Sequence, residues 1–232
     1  MKQLSATLFS IALLAFPLSA AEPTHAHSAT HDAPLHTFKS NSPDALWDAL
    51  MAGNKRYVGG DLSFHTLRER RDATRAHQDP PVAILSCADS RVPPELIFDH
   101  TVGDLFVVRV AGNVAEPLNI ASLEFAIAND YTNLIVVMGH EACGAVKAAL
   151  APTDPPTPNL VALVTKIRES FTGADRSDVR AAVEANARHT AEDLMARSDV
   201  IRNAVQNGTV KIVPAYYAFD GTVTRLDHPA HH

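Results

Sequence analysis

The 232 residues suffice for one large domain, and a composition of 46% hydrophobic and 20% charged residues is that of an ordinary globular protein, which excludes a disordered chain and a membrane fold. The formal net charge of -6 leaves no basic excess to neutralise phosphates. It argues against nucleic acid as a partner and leaves small anions or neutral molecules.

The chain opens on a secretion signal: Lys2 supplies a positive n-region, Leu8 to Phe16 an apolar h-region, and Ser19-Ala20-Ala21 a small-residue cleavage site. Removal is expected after Ala21, which makes residues 1–21 a signal peptide and the mature protein soluble and periplasmic. The apolar run is shorter than the roughly 20 residues of a spanning helix and no later stretch qualifies, so no membrane span is expected in the mature protein. Residues 22–37 contain His25, His27, His31 and His36 without apolar periodicity and read as a His-rich flexible tether. The folded domain is expected over 38–227, with 228–232 a His-containing tail.

Ser42-Pro43-Asp44 signals a helix start, with apolar Leu46, Trp47 and Leu50 following and then Asn54 to Tyr57. Strands are predicted at Val82 to Ser86, Leu105 to Val110 and Leu134 to Met138, with a helix from about Leu118 to Asn129 that carries Ile120, Leu123 and Ile127 on one face. A helix ended by Pro152, a proline-rich loop, and helices over Asn159 to Phe171 and Asp178 to Asn207 come next. The chain closes on a strand from Lys211 to Tyr217 and a tight turn at Asp220-Gly221 leading to Val223–Leu226. Alternating strands and helices predict an α/β fold: a mainly parallel β-sheet flanked by helices, with an N-terminal helical arm and a C-terminal β-hairpin. No internal repeat and no second domain are apparent.

The only two cysteines lie in Cys87-Ala88-Asp89-Ser90-Arg91 and His140-Glu141-Ala142-Cys143, each after a strand-type apolar run. A parallel sheet presents its binding loops at such strand ends. Thiolate, imidazole and carboxylate together are zinc ligands. On residue type alone the cysteines could also be small buried hydrophobes or one disulfide. A bridge would use up the pair that the neighbouring Asp and His fit as metal ligands, and the C-x-x-C spacing of thiol-disulfide enzymes is absent.

Carried by Gly53-Asn54-Lys55-Arg56-Tyr57, by Cys87 through Pro93, by Gly103 through Asn113 and by Gly139 through Val146, the chain from about Gly53 to Leu226 resembles the β-class carbonic anhydrases. The resemblance implies a zinc enzyme that reversibly hydrates carbon dioxide to bicarbonate and assembles as a homodimer or homotetramer. It implies Cys87, His140 and Cys143 as ligands of one zinc per protomer and Asp89 with Arg91 as the catalytic pair. A catalytic zinc keeps one position open beside three protein ligands, so Asp89 decides the state of the site. Coordination by its carboxylate closes it; an Arg91 fork that holds the carboxylate leaves it open. In the open state Asp89 accepts a hydrogen bond from the hydroxide on zinc and orients it toward carbon dioxide. Open-type members have a substrate-binding glutamine nine residues before the first cysteine ligand, which falls on Gln78 and favours the open resting state. Their carbon dioxide pocket falls on Phe106, Ala111 and Phe125, the last where a tyrosine is common. The closing hairpin follows the family loosely, and no functional residue is carried over there. Two alternatives share these features: a related hydrolase acting on a substrate such as carbon disulfide, and a periplasmic zinc-binding or zinc-buffering protein.

Overall fold

Runs of aliphatic residues form the centre of the molecule: β1 (Val82–Ser86), β2 (Leu105–Arg109), β3 (Leu134–His140), β4 (Lys211–Tyr217) and β5 (Val223–Arg225) make one sheet in the order β2-β1-β3-β4-β5. The first four strands are parallel and β5 returns antiparallel on β4. The computed structural model describes residues 37–63, 67–171, 176 and 178–226. The expected signal peptide, the tether up to residue 36 and the tail lie outside the described residues, as does residue 227.

β1 and β3 are buried at every position, as strands covered on both faces must be. Their side chains alternate between two cores. Ala83, Leu85, Ile135 and Val137 face a layer built from α4 (Pro117–Ala128), α5 (Gly144–Leu150), α6 (Pro158–Arg168), α7 (Val179–Arg197) and α8 (Asp199–Gln206). Val82, Ile84, Leu134, Val136 and Met138 face the opposite layer, made by α1 (Pro43–Gly59) and the short α3 (Pro94–Ile97). A further short helix, α2 (Leu67–Ala73), precedes β1. Among the described residues no helix is long and apolar enough to cross a membrane.

Besides the short α2 and α3 and a β2 one residue shorter, local results differ from expectation at three places. Residues 178–207 form two helices, because Ser198 takes extended angles (φ -129°, ψ 116°), accepts the Ile201 N–H at 3.1 Å and donates to Glu124 Oε1 at 2.6 Å. It ends α7 and caps α8. Ser42 stands at the N-cap of α1 but makes no side-chain capping bond, so Pro43 with its fixed φ supplies the start signal. β3 runs to His140, two residues past the expected end, because Gly139 and His140 pair with Tyr216 and Tyr217.

The Gly53–Tyr57 motif is a packing motif. A Cβ on Gly53 would stand 1.7 Å from the Phe98 carbonyl oxygen, so only glycine permits this approach of α1 to α3. Next to it, buried Asn54 donates to the Ile97 carbonyl (3.0 Å) and the Gly221 carbonyl (2.8 Å) and accepts the Val223 N–H (3.1 Å). One amide thus ties α1 to α3 and to the β4–β5 hairpin.

Candidate metal centre

β1 and β3 are neighbours in register, Ser86 beside Met138, so the loops after them emerge side by side at the C-terminal edge of the sheet. Cys87, His140 and Cys143 come together there, buried, with their ligand atoms all within 4.8 Å of one another. A tetrahedral zinc with about 2.3 Å to sulfur and about 2.0 Å to nitrogen separates its ligands by about 3.5–3.8 Å, which this triad accommodates. The imidazole is oriented for the task. His140 Nδ1 lies 2.9 Å from the Glu141 carbonyl oxygen, which can only accept, so the proton is on Nδ1 and the lone pair on Nε2. That Nε2 is buried and has no hydrogen-bond partner, the condition of an atom built to meet a cation.

The two cysteines are free, buried and close enough to hydrogen-bond to each other. Accepting a hydrogen bond from Cys143 pulls the Cys87 thiol down to about 4, while donating that bond, together with burial, pushes Cys143 far up. A divalent cation would displace the proton between them and take both as thiolates. Cys87 Sγ also receives the Gly112 N–H at 3.4 Å, and Asn186 on α7 fixes that turn by donating to the Gly112 carbonyl at 2.7 Å. Gly112 has φ 68°, a conformation that favours glycine.

Asp89 stands beside the triad and outside it. Arg91 grips both its oxygens, Nε to Oδ1 at 2.9 Å and a terminal nitrogen to Oδ2 at 2.7 Å, leaving Oδ2 3.9 Å from His140 Nε2. The hydrogen bonds from Arg91 hold the Asp89 carboxyl well below the usual carboxylate range. Arg109, at the end of β2, donates to the carbonyl oxygens of Cys87 (3.0 Å) and Asp89 (2.5 Å) and so fixes the backbone that carries both.

The hairpin contributes a residue that the sequence pattern does not disclose. The Phe219 ring lies under the Arg91 guanidinium, 4.2 Å from its carbon, and 5.9 Å from the His140 ring. Its backbone N–H is held by Glu141 Oε2 at 2.8 Å. Arg109, Glu141 and Phe219 act through backbone groups or ring faces, and only the fold brings them to the site.

Of the residues expected to line a substrate pocket, the structure brings Ala111 to the metal end, in the turn beside Gly112. Gln78, Phe106 and Phe125 lie at the other end. Gln78 is exposed in the loop before β1, one strand length (~16 Å for five residues) from Cys87. Phe106 pairs with Ala83 near the start of β1, and Phe125 touches Tyr131, which in turn touches His77. None of these three reaches the triad of its own chain.

A family profile described as "Carbonic anhydrase" matches residues 82–223. Carbonic anhydrase 2 of Mycobacterium tuberculosis is 37% identical over 197 residues, covering 82% of this chain and 95% of that protein. The β-carbonic anhydrase CcaA superposes with a TM-score of 0.62 at 25% identity, over 78% of this chain and 87% of that one. One of two tetrameric β-carbonic anhydrases from Sordaria macrospora shares the fold, with a TM-score of 0.62 at 20% identity over 78% of this chain and 96% of that one.

Proposed function

The chain belongs to the carbonic anhydrase family, in its β class, and we infer that it is a zinc lyase interconverting carbon dioxide and water with bicarbonate and a proton. Cys87 Sγ, His140 Nε2 and Cys143 Sγ would hold one zinc per protomer, which would supply the Lewis acidity that activates water near neutral pH. Two thiolates offset the charge of the divalent ion, so orientation by the surrounding residues must contribute more than it does in a site of neutral imidazoles. Asp89 provides it. As an ionised carboxylate it can only accept a hydrogen bond, and with Oδ2 turned toward the triad it orients the attacking water so that a lone pair faces the carbon of the substrate. Arg91 occupies both carboxylate oxygens and so keeps Asp89 off the fourth position, which supports an open resting state. The bidentate pair beside an orphaned, buried Nε2 is the observation that carries the reading.

Ala111 borders the approach at the metal end. Gln78, Phe106 and Phe125 serve a carbon dioxide pocket only if a second copy brings them to the triad, so a homodimer or homotetramer belongs to the proposed function. Two features suit such pairing: among the described residues β2 pairs on one side only, and α4 exposes Leu118 (83%) and Phe125 (52%). Phenylalanine at 125 gives that pocket a more apolar wall than a tyrosine would. Export completes the proposal: cleavage after Ala21 and a periplasmic mature enzyme are supported by Lys2, the run from Leu8 to Phe16 and Ser19-Ala20-Ala21.

Stopped-flow measurement of carbon dioxide hydration by the zinc-loaded protein tests the activity. Turnover across pH 7 to 9 is expected, and its absence from protein with stoichiometric zinc would refute the reading. Mass spectrometry of the exported protein should find a start at or next to Glu22; an intact Met1 would refute export.

A further inference from the structure

We infer that Phe219 is a positioning residue for this reaction: its ring is the seat on which the Arg91 guanidinium lies while its fork meets Asp89. The inference rests on the carbonic anhydrase reading and adds to it a residue from the far end of the chain.

A guanidinium has two usable directions. In its plane, N–H donors form the fork that fits a carboxylate; perpendicular to the plane, its face stacks on an aromatic ring. Arg91 uses both. The in-plane donors meet Oδ1 at 2.9 Å and Oδ2 at 2.7 Å, and the face rests on Phe219 with 4.2 Å from the guanidinium carbon to the ring centroid. With half of the Arg91 side chain in solvent, the carboxylate alone would leave the guanidinium free to swing about the line of the two hydrogen bonds. The ring removes that freedom.

Phe219 is itself fixed from the metal loop. Glu141, the residue after the ligand His140, accepts the Phe219 N–H on Oε2 at 2.8 Å and donates its own N–H to the Tyr217 carbonyl at 2.8 Å. Tyr217 packs edge-on against the ring at 6.1 Å, and the His140 imidazole lies 5.9 Å away on another side. The contacts close a circuit from His140 through Glu141, Phe219, Arg91 and Asp89 back to His140 Nε2. Both ligand loops are therefore registered to each other through one ring. Phe219 is 37% exposed and its ring belongs to neither of the two cores.

The test compares Phe219→Leu, which keeps an apolar side chain without a π-face, with Phe219→Tyr, which keeps the face. Zinc content, kcat and KM are measured, and crystal structures of both zinc-loaded variants are solved at pH 7. Phe219→Leu should keep its zinc and its KM and lose about twofold to fivefold in kcat, the scale of an exposed cation–π contact. Phe219→Tyr should restore kcat. In the Leu variant the Arg91 guanidinium should leave its bidentate position on Asp89; in the Tyr variant it should keep it. A Leu variant with wild-type kcat and an intact pair would overturn the inference. So would equal losses in both variants, or a loss that follows zinc content, since either would make the residue merely structural. Wild-type protein that holds zinc and fails to hydrate carbon dioxide would sink the activity itself, while the pair geometry in the two crystal structures would still decide the role of Phe219.

Discussion

The two loops that supply the metal ligands are held in opposite ways. The loop after β3 is an extension of regular structure: the Glu141 N–H continues the pairing with β4, and the Cys143 carbonyl already accepts from Lys147 in α5. The loop after β1 is held by guanidinium groups, Arg109 on the carbonyls of Cys87 and Asp89 and Arg91 on the Asp89 side chain. Backbone pairing survives any substitution except proline, whereas a guanidinium is lost with its side chain. The difference separates a loop whose ligands are fixed by regular structure from one in which side chains fix both a ligand, Cys87, and the carboxylate beside it.

The largest effect expected is loss of the metal. Cys143→Ser and Cys87→Ser each remove a thiolate from the triad, and zinc should be lost on dialysis against a mild chelator, with hydration falling to the uncatalysed background. A serine variant that keeps stoichiometric zinc breaks the ligand assignment. Next in size, Arg91→Ala should keep its zinc and lose about 10- to 100-fold in kcat, the usual cost of an outer-shell group at a metal site. Its remaining activity should climb more steeply with pH than that of the wild type, since a freed Asp89 competes for the open position and hydroxide displaces it better at higher pH. A flat profile with near-normal turnover would reduce the pair to a structural one.

Arg109→Ala sharpens the comparison. It removes two charge-assisted hydrogen bonds to one loop and none to the other, so denaturant unfolding should show a loss of about 1–2 kcal/mol, and kcat should fall by less than in Arg91→Ala. A variant that loses zinc would show that the Arg109 bonds are needed to hold Cys87 on the metal. The smallest effect expected is a gain. Ala142, between the two ligands of the second loop, has φ 54°, where an L-residue is strained. Ala142→Gly should stabilise the holoprotein by about 0.5–1 kcal/mol with unchanged turnover. A loss of stability there would mean that chain entropy outweighs the strain.

How much of this could be read in the sequence follows from what each feature depends on. β1, β3 and β4 announce themselves as unbroken apolar runs, and the ligand motifs stand directly behind two of them. α2 and α3 are too short to show a helical period, with seven and four residues. The break at Ser198 was signalled by Ser198-Asp199, a cap followed by an acid, but the apolar pattern on both sides masks it. Asp89 and Arg91 are legible because they are two residues apart. Phe219 meets Glu141 across 78 residues of chain and Arg91 across more, and no local pattern records a contact of that range. Gln78 was placed by its spacing from Cys87, and spacing along a strand says nothing about which copy of the chain it serves.

The Asn54 amide joins residues 167 apart in sequence, α1 to the closing hairpin. Contacts of that span form late, after the loop between them has paid its closure entropy. In a chain that emerges from its N-terminus, Cys87, His140 and Cys143 are all present well before β4 and β5 can add to the sheet. All three ligands thus precede in sequence the strand that receives the Glu141 N–H and the ring that seats Arg91. During that interval nothing from the hairpin restrains the fork on Asp89. The metal ligands and the seat of the fork are thus encoded in separate stretches of the chain, and the closing hairpin is what joins them.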